Sequence, residues 1–129
     1  MNSNARAWIE ALRSGKYRQG RGYLAARKAN DSIWHCCLGV ACELAVEAGV
    51  IKRPRINALG QRVYDGSKQL LPLSVRDWLG LVNGAGAFIT PAGRRHDLVE
   101  MNDAGKDFYQ IADLIEQEPS GLFKNEMRG

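Results

Sequence analysis

One segment constrains the fold more than any other. From Cys36 to about Ala48 the chain reads Cys-Cys-Leu-Gly-Val-Ala-Cys-Glu-Leu-Ala-Val-Glu-Ala, bounded by Gly49. At about 100° per residue, Cys37, Ala41, Leu44 and Ala48 fall within one quadrant, with Leu38, Cys42 and Ala45 beside them. Only Gly39, Glu43 and Glu47 are left to form a polar stripe. A helix apolar over most of its circumference must be enclosed on most sides. In a chain of 129 residues, enough for one hydrophobic core, this helix is expected at the centre of a single domain spanning residues 1–129.

The flanking patterns supply what packs around it. A first helix is expected from about Asn4 to Ser14, capped by Ser3 or Asn4, with Ala5, Trp8, Ile9 and Leu12 on one face and Gly15 at its end. The stretch Lys16 to Tyr23 reads as a loop by composition, and Asp31-Ser32 as the cap signal leading into the central helix. Arg55-Ile56-Asn57 and Arg62-Val63-Tyr64, joined through Leu59-Gly60, predict a hairpin. Pro72 opens a short helix carrying Val75, Trp78 and Leu79, which Gly80 ends. A strand is expected over Ala87 to Thr90 and a two-turn helix after Asp97, which with Glu100 resembles a capping box; Gly105 stops it. The last helix runs from Asp107 to about Glu118, with Phe108, Ile111, Ala112 and Ile115 at i, i+3, i+4 and i+7 before Pro119. The fold class is therefore α+β, mostly helical, with a central buried helix and a small antiparallel hairpin or sheet.

Membrane insertion and secretion are not expected. The longest uncharged run, Trp78 to Gly93, has 16 residues, four of them glycine, and falls short of the roughly 20 apolar residues a spanning helix needs. Residues 1–15 lack the apolar stretch of a signal peptide. Three cysteines without such a peptide imply free thiols in a reducing, cytoplasmic compartment.

The formal charge of +4 is unevenly spread. Residues 1–30 hold Arg6, Arg13, Lys16, Arg18, Arg21, Arg27 and Lys28 against Glu10, a net of +6, which leaves −2 for residues 31–129. Such asymmetry is the footprint of contact with an anion. Within it, Lys16, Tyr17, Arg18, Gln19, Arg21 and Tyr23 form a candidate binding loop, whose cations reach phosphate or carboxylate while a Tyr ring stacks or packs and Gln19 adds a hydrogen bond. It matches no P-loop or dinucleotide-binding pattern. The competing interpretation is a structural turn whose tyrosines pack on the core.

Catalysis offers a second candidate. Cys36, near a helix N-terminus, is a candidate thiolate nucleophile, with His96 as base and Asp97 as orienter of a cysteine-dependent hydrolase. Asp97 also fits a helix cap, and cysteines are often simply buried. A metal site is not expected, because Cys36, Cys37 and Cys42 diverge around one helix and no second ligand pair completes a tetrahedral set. Phe108 to Ile115 resembles the first helix of a helix-turn-helix, but acidic residues and Pro119 follow where a basic recognition helix belongs. Trp78, Phe88 or the C-terminal tail could instead serve protein contact.

Four strings occur in one order: Trp8-x-x-Ala11-Leu12-Arg13-Ser14-Gly15-Lys16-Tyr17-x-Gln19-Gly20-Arg21-Gly22-x-Leu24, Cys36-Cys37-Leu38-Gly39-Val40-x-Cys42-x-Leu44-Ala45, Leu71-Pro72-x-x-Val75-x-x-Trp78-x-Gly80-Leu81 and Asn102-Asp103-x-Gly105-x-x-Phe108-x-x-Ile111-Ala112-Asp113-x-Ile115-Glu116. Together they resemble a family of small bacteriophage and prophage proteins without an established activity. This chain departs by a longer stretch between Leu24 and Cys36, including Ala25-Ala26-Arg27-Lys28, and by His35 ahead of the paired cysteines. The resemblance implies an accessory protein of the bacterial host cytoplasm that binds a host protein, nucleic acid or a nucleotide. The leading expectation is thus a non-enzymatic binding protein for an anionic partner, with no cofactor.

Overall fold

The computed structural model describes residues 1–124. Its elements follow in the order α1 (Ser3–Arg13), β1 (Arg18–Gln19), β2 (Ala25–Arg27), β3 (Ile33–His35), α2 (Cys37–Glu47), β4 (Arg55–Ile56), β5 (Arg62–Val63), α3 (Leu73–Leu79), β6 (Ala87–Ile89), β7 (Arg95–Asp97), α4 (Leu98–Asp103) and α5 (Phe108–Glu116). The protein is α+β.

Helix α2 is the centre, as its apolar circumference dictates. Cys37, Leu38, Val40, Ala41, Cys42 and Ala45 are each 0% exposed. Helices α1, α3 and α4 and strand β3 all pack on it. Gly39 belongs to this core and not to the polar stripe. A Cβ there would stand 1.7 Å from the Leu24 carbonyl oxygen, so the missing side chain is what lets the Leu24 backbone lie against the helix. That approach is stitched by the Cys36 N–H donating to Leu24 O at 3.1 Å.

The helix boundaries show which local signals operate. Asn2 caps α1, its Oδ1 accepting the Ala5 N–H at 2.8 Å, one residue earlier than Ser3 or Asn4. Asn4 is committed elsewhere, its amide donating to the Trp78 carbonyl at 2.9 Å. Asp97 caps α4 through the Glu100 N–H, and Asp107 with Gln110 forms a full capping box on α5. Gly15, Gly49, Gly80 and Gly105 follow the helix ends with positive φ.

Asp31 and Ser32 do not cap α2. Strand β3 intervenes, Cys36 is the N-cap, and Asp31 sits at φ 63° in the turn between β2 and β3. The first sheet is mixed, in the order β1-β3-β2, with β1 parallel and β2 antiparallel to β3. The stretch read as a loop over Lys16 to Tyr23 therefore contains a strand. The hairpin β4-β5 forms where its sequence predicts, and β6 acquires a partner, β7, making a third small sheet, antiparallel like the second. Phe88 is 4% exposed, which removes it as a contact surface, while Trp78 is half-buried. The end of the C-terminal tail, residues 125–129, lies outside the described residues. Among the described residues no helix is long and apolar enough to cross a membrane.

Candidate functional site

The register of the mixed sheet sorts the basic segment into two faces. Arg18 lies beside Trp34, which lies beside Ala26; in the next row Gln19 lies beside His35 and His35 beside Ala25. Residues paired in register share a face, and successive residues alternate. His35 and Ala25 are buried, so their row faces the core. Arg18 and Trp34 consequently face outward. Lys28, two residues beyond Ala26, returns to that outer face, and its Nζ stands 5.4 Å from the centroid of the Trp34 ring.

This outer face is prearranged. The Trp34 indole N–H donates to Ser32 Oγ at 2.7 Å, and Ser32 Oγ donates to Asn30 Oδ1 at 2.6 Å. Gly20 leaves room at the base of the ring, since a Cβ there would come within 3.0 Å of the Trp34 Cβ. The result is a half-buried aromatic ring flanked by two exposed cations. Neither Arg18 nor Lys28 has a carboxylate within ion-pair distance among the described residues.

Beneath it, a buried hub fixes the backbone. Asn102 is 0% exposed; its amide donates to Gly20 O at 2.8 Å, and its Oδ1 accepts the Gln19 amide at 2.9 Å and the Cys37 N–H at 3.1 Å. Gln19 also donates to the Lys106 carbonyl at 2.7 Å. Gln19 is therefore an internal tie between β1 and the segment that follows α4. Tyr17 points the same way, its ring set edge-on to His35 at 5.2 Å and 80°. Lys16 leans over the Tyr17 ring and lies 3.8 Å from Glu47. Arg21 is exposed beside Gly105, and Tyr23 is half-buried.

The charge asymmetry is smaller in space than along the chain. Arg13 is held by Asp113 at 2.5 Å and by Glu116 at 3.1 Å, and Arg27 lies 3.9 Å from Asp31. Arg6, Arg18, Arg21 and Lys28 are the cations of the segment without such a partner among the described residues. Folding also gathers Lys52, Arg53 and Arg55 along a separate groove of about 810 Å³ that Asp65 and Ser74 share.

The catalytic candidates are not assembled. Cys36 is 6% exposed, its Sγ accepts the Gly39 N–H at 3.4 Å, and burial pushes the thiol up to about 11 against the pull of that N–H. Burial raises Cys37 and Cys42 well above the ordinary thiol value too. His96 pairs across the third sheet with Phe88, and its Nδ1 contacts Glu100 at 2.9 Å. Asp97 is occupied as the cap of α4, accepting the Glu100 N–H at 2.7 Å. No hydrogen bond joins Cys36 to His96 among the described residues. Nor do three His, Cys, Asp or Glu side chains converge there as metal ligands do.

Two groups escaped the sequence reading. One is Trp34, hidden in a stretch assigned to the approach of the central helix; the alternation Ser32-Ile33-Trp34-His35 is its only local signal. The other is Glu43, on the inner-facing side of α2. Its Oε1 accepts from Tyr64 Oη at 2.7 Å and from Arg62 Nη1, and pairs with His35 Nε2 at 2.9 Å. Burial alone would raise this carboxyl, but the hydrogen bonds from His35 and Tyr64 and the charge of Arg62 outweigh it and hold it at about 2. A carboxylate only accepts, so His35 donates through Nε2 and neutral His35 keeps its lone pair on Nδ1, which is buried without a partner. The cluster ties hairpin β4-β5 to the central helix.

Residues 1–119 match the family described as Domain of unknown function (DUF8296), and the chain belongs to that family. No curated protein matches the chain, and no solved structure matches it.

Proposed function

We propose that this member of the DUF8296 family is a non-enzymatic binding protein whose partner is single-stranded nucleic acid, docked on the outer face of the mixed sheet. The observation that carries the reading is Trp34 held between Arg18 and Lys28 with no carboxylate paired to either cation. In the free protein Lys28 lies over one face of this ring, which is fixed at its indole nitrogen; a base takes that place as the ammonium moves to a phosphate, and stacking of this kind contributes about 1–3 kcal/mol per base. Flanking cations then meet the phosphates on either side, releasing counterions, so affinity falls as salt rises. Tyr17 and Gln19 hold the strand from behind. A protein face rich in carboxylates would use Arg18 and Lys28 equally well but would leave the ring without a planar partner. The role belongs to a phage-type accessory protein of the bacterial cytoplasm. The resemblance to small phage and prophage proteins supports this, as do three cysteines that are all unpaired.

The test is fluorescence anisotropy with labelled oligo-dT and oligo-rU at low and at physiological salt, with an acidic peptide and cyclic nucleotides as competitors. Binding to an oligonucleotide is expected, weakening with salt. Trp34→Ala and Arg18→Ala are each expected to weaken it by roughly tenfold, the lower end of what one stacked base or one charged contact contributes. Arg53→Ala combined with Arg55→Ala removes more charge elsewhere and should cost less. If neither oligonucleotide binds at low salt, or if Trp34→Ala binds like the parent, the reading is wrong.

A further inference from the structure

A cleft of about 470 Å³ opens between the β6-β7 hairpin and helices α4 and α5, on a part of the molecule the nucleic-acid reading does not use. Its volume is that of a small-molecule pocket, for which roughly 300–1,000 Å³ is usual. Phe88 from β6, Met101 from α4 and Ile111 and Leu114 from α5 supply the apolar lining. The sequence explains why these residues converge. Phe88 and His96 are in register across the hairpin, and Ile111 and Leu114 lie on adjoining strips of the same helix.

The polar groups at the cleft are few, and their commitments decide what it accepts. Asp113 is among the lining residues, and Arg13, which binds its carboxylate at 2.5 Å and Glu116 at 3.1 Å, reduces its repulsion of an incoming anion. His96 also lines the cleft; its ring is tilted against Phe88 at 6.3 Å and its Nδ1 is engaged by Glu100. The Nδ1 hydrogen is the one a carboxylate takes, which leaves Nε2 as the nitrogen available to a ligand. Lys106 stands at the rim, exposed, and no carboxylate lies within ion-pair distance of it among the described residues. Its backbone carbonyl is fixed by Gln19, which holds the position of the residue while its side chain is uncommitted.

An apolar lining, one uncommitted cation and an acid screened by Arg13 favour a ligand with an apolar body and a single carboxylate. The geometry points to this cleft as a binding site for a small aromatic or aliphatic monocarboxylic acid, its hydrocarbon body against the half-buried Met101 and Leu114 and its carboxylate on Lys106. The body displaces water from the apolar lining, and the carboxylate gains a charge-assisted hydrogen bond at the edge, where it keeps part of its hydration.

The probe is 4-phenylbutyrate, compared with its neutral amide and titrated into the full chain while backbone amide shifts are followed by NMR. Saturable shifts centred on Met101, Lys106, Gln110 and Leu114 are expected, with the amide binding about tenfold more weakly, as loss of one charged hydrogen bond of roughly 1.5 kcal/mol implies. Lys106→Ala should weaken the acid by the same factor and leave the amide unchanged. Leu114→Gln should weaken both. Three results overturn the assignment: shifts that do not saturate at millimolar acid, acid affinity indifferent to Lys106→Ala, or a concentration-dependent dimer in sedimentation whose interface shields these same amides. None of them bears on Trp34 or on oligonucleotide binding, so this inference and the proposed function fail separately.

Discussion

The two faces of the mixed sheet are built from the same few residues and have opposite fates. On the inner face, Gln19 is spent on Asn102 and the Lys106 carbonyl, His35 on Glu43, and Tyr17 on the edge of His35. On the outer face, Arg18 and Lys28 are tied to no carboxylate among the described residues, and Trp34 makes its side-chain hydrogen bond through its nitrogen alone. The strand period of two puts them side by side in sequence and a sheet's thickness apart in commitment. A run of basic and aromatic residues is therefore not one site. Its alternate members are frame and surface.

The sharpest way to break that division is at the hub. Asn102→Ala strands the buried Gly20 carbonyl and Cys37 N–H, takes from the Gln19 amide one of its two acceptors, and should cost about 3 kcal/mol in chemical denaturation. It should also weaken oligonucleotide binding, since Gly20 positions the base of Trp34. A loss below about 1 kcal/mol, the size of a single exposed hydrogen bond, would mean that the inner face is not the frame.

A smaller effect is expected at Glu43. The carboxyl is held at about 2 against an ordinary 4.5, so the unfolded chain takes up its proton first. Its contribution to stability is whole above about 4.5 and is lost as the pH falls toward 2. Denaturation midpoints followed through that window should fall for the parent, and fall less steeply for Glu43→Gln, which should be about 2 kcal/mol less stable near neutrality. Equal pH profiles for the two proteins would remove Glu43 from the account. The smallest stability effect belongs to the outer face. Arg18→Ala should stay within about 0.5 kcal/mol of the parent while still losing oligonucleotide, and a larger stability loss would make Arg18 part of the frame.

The helical part of the molecule was readable because its signals are local. Asp97 and the glycines after each helix act within one turn, and the apolar stripe of α5 spans two and a half turns of one period. The central helix was recognisable from composition around its circumference, although Gly39 was assigned to the wrong side of it. A glycine that admits a backbone from elsewhere carries no mark of that partner. Strands β1, β2 and β3 are two or three residues long, too short for a period to show, and they exist through pairing with segments up to sixteen positions away. Asp31 and Ser32 misled for the same reason: they look like a cap but serve a turn between two strands that neither residue reveals. Half the site followed. Arg18 and Lys28 were visible as charge, whereas Trp34 became a candidate only once register set it beside Arg18. Glu43 looked like solvent-facing stripe until the hairpin folded over it.

Helix α1 packs most extensively on α5, and Arg13 is bound by two carboxylates about a hundred positions further along. During synthesis, α1 therefore lacks its most extensive contact until residues 108–116 have left the ribosome. Closing so long a loop is a slow step, because its entropy is lost before the contact returns any of it. Helix α1 is thus completed long after it is made, and Trp8, whose indole donates to the Cys37 carbonyl of α2, reports by its fluorescence the earlier docking of α1 on the central helix.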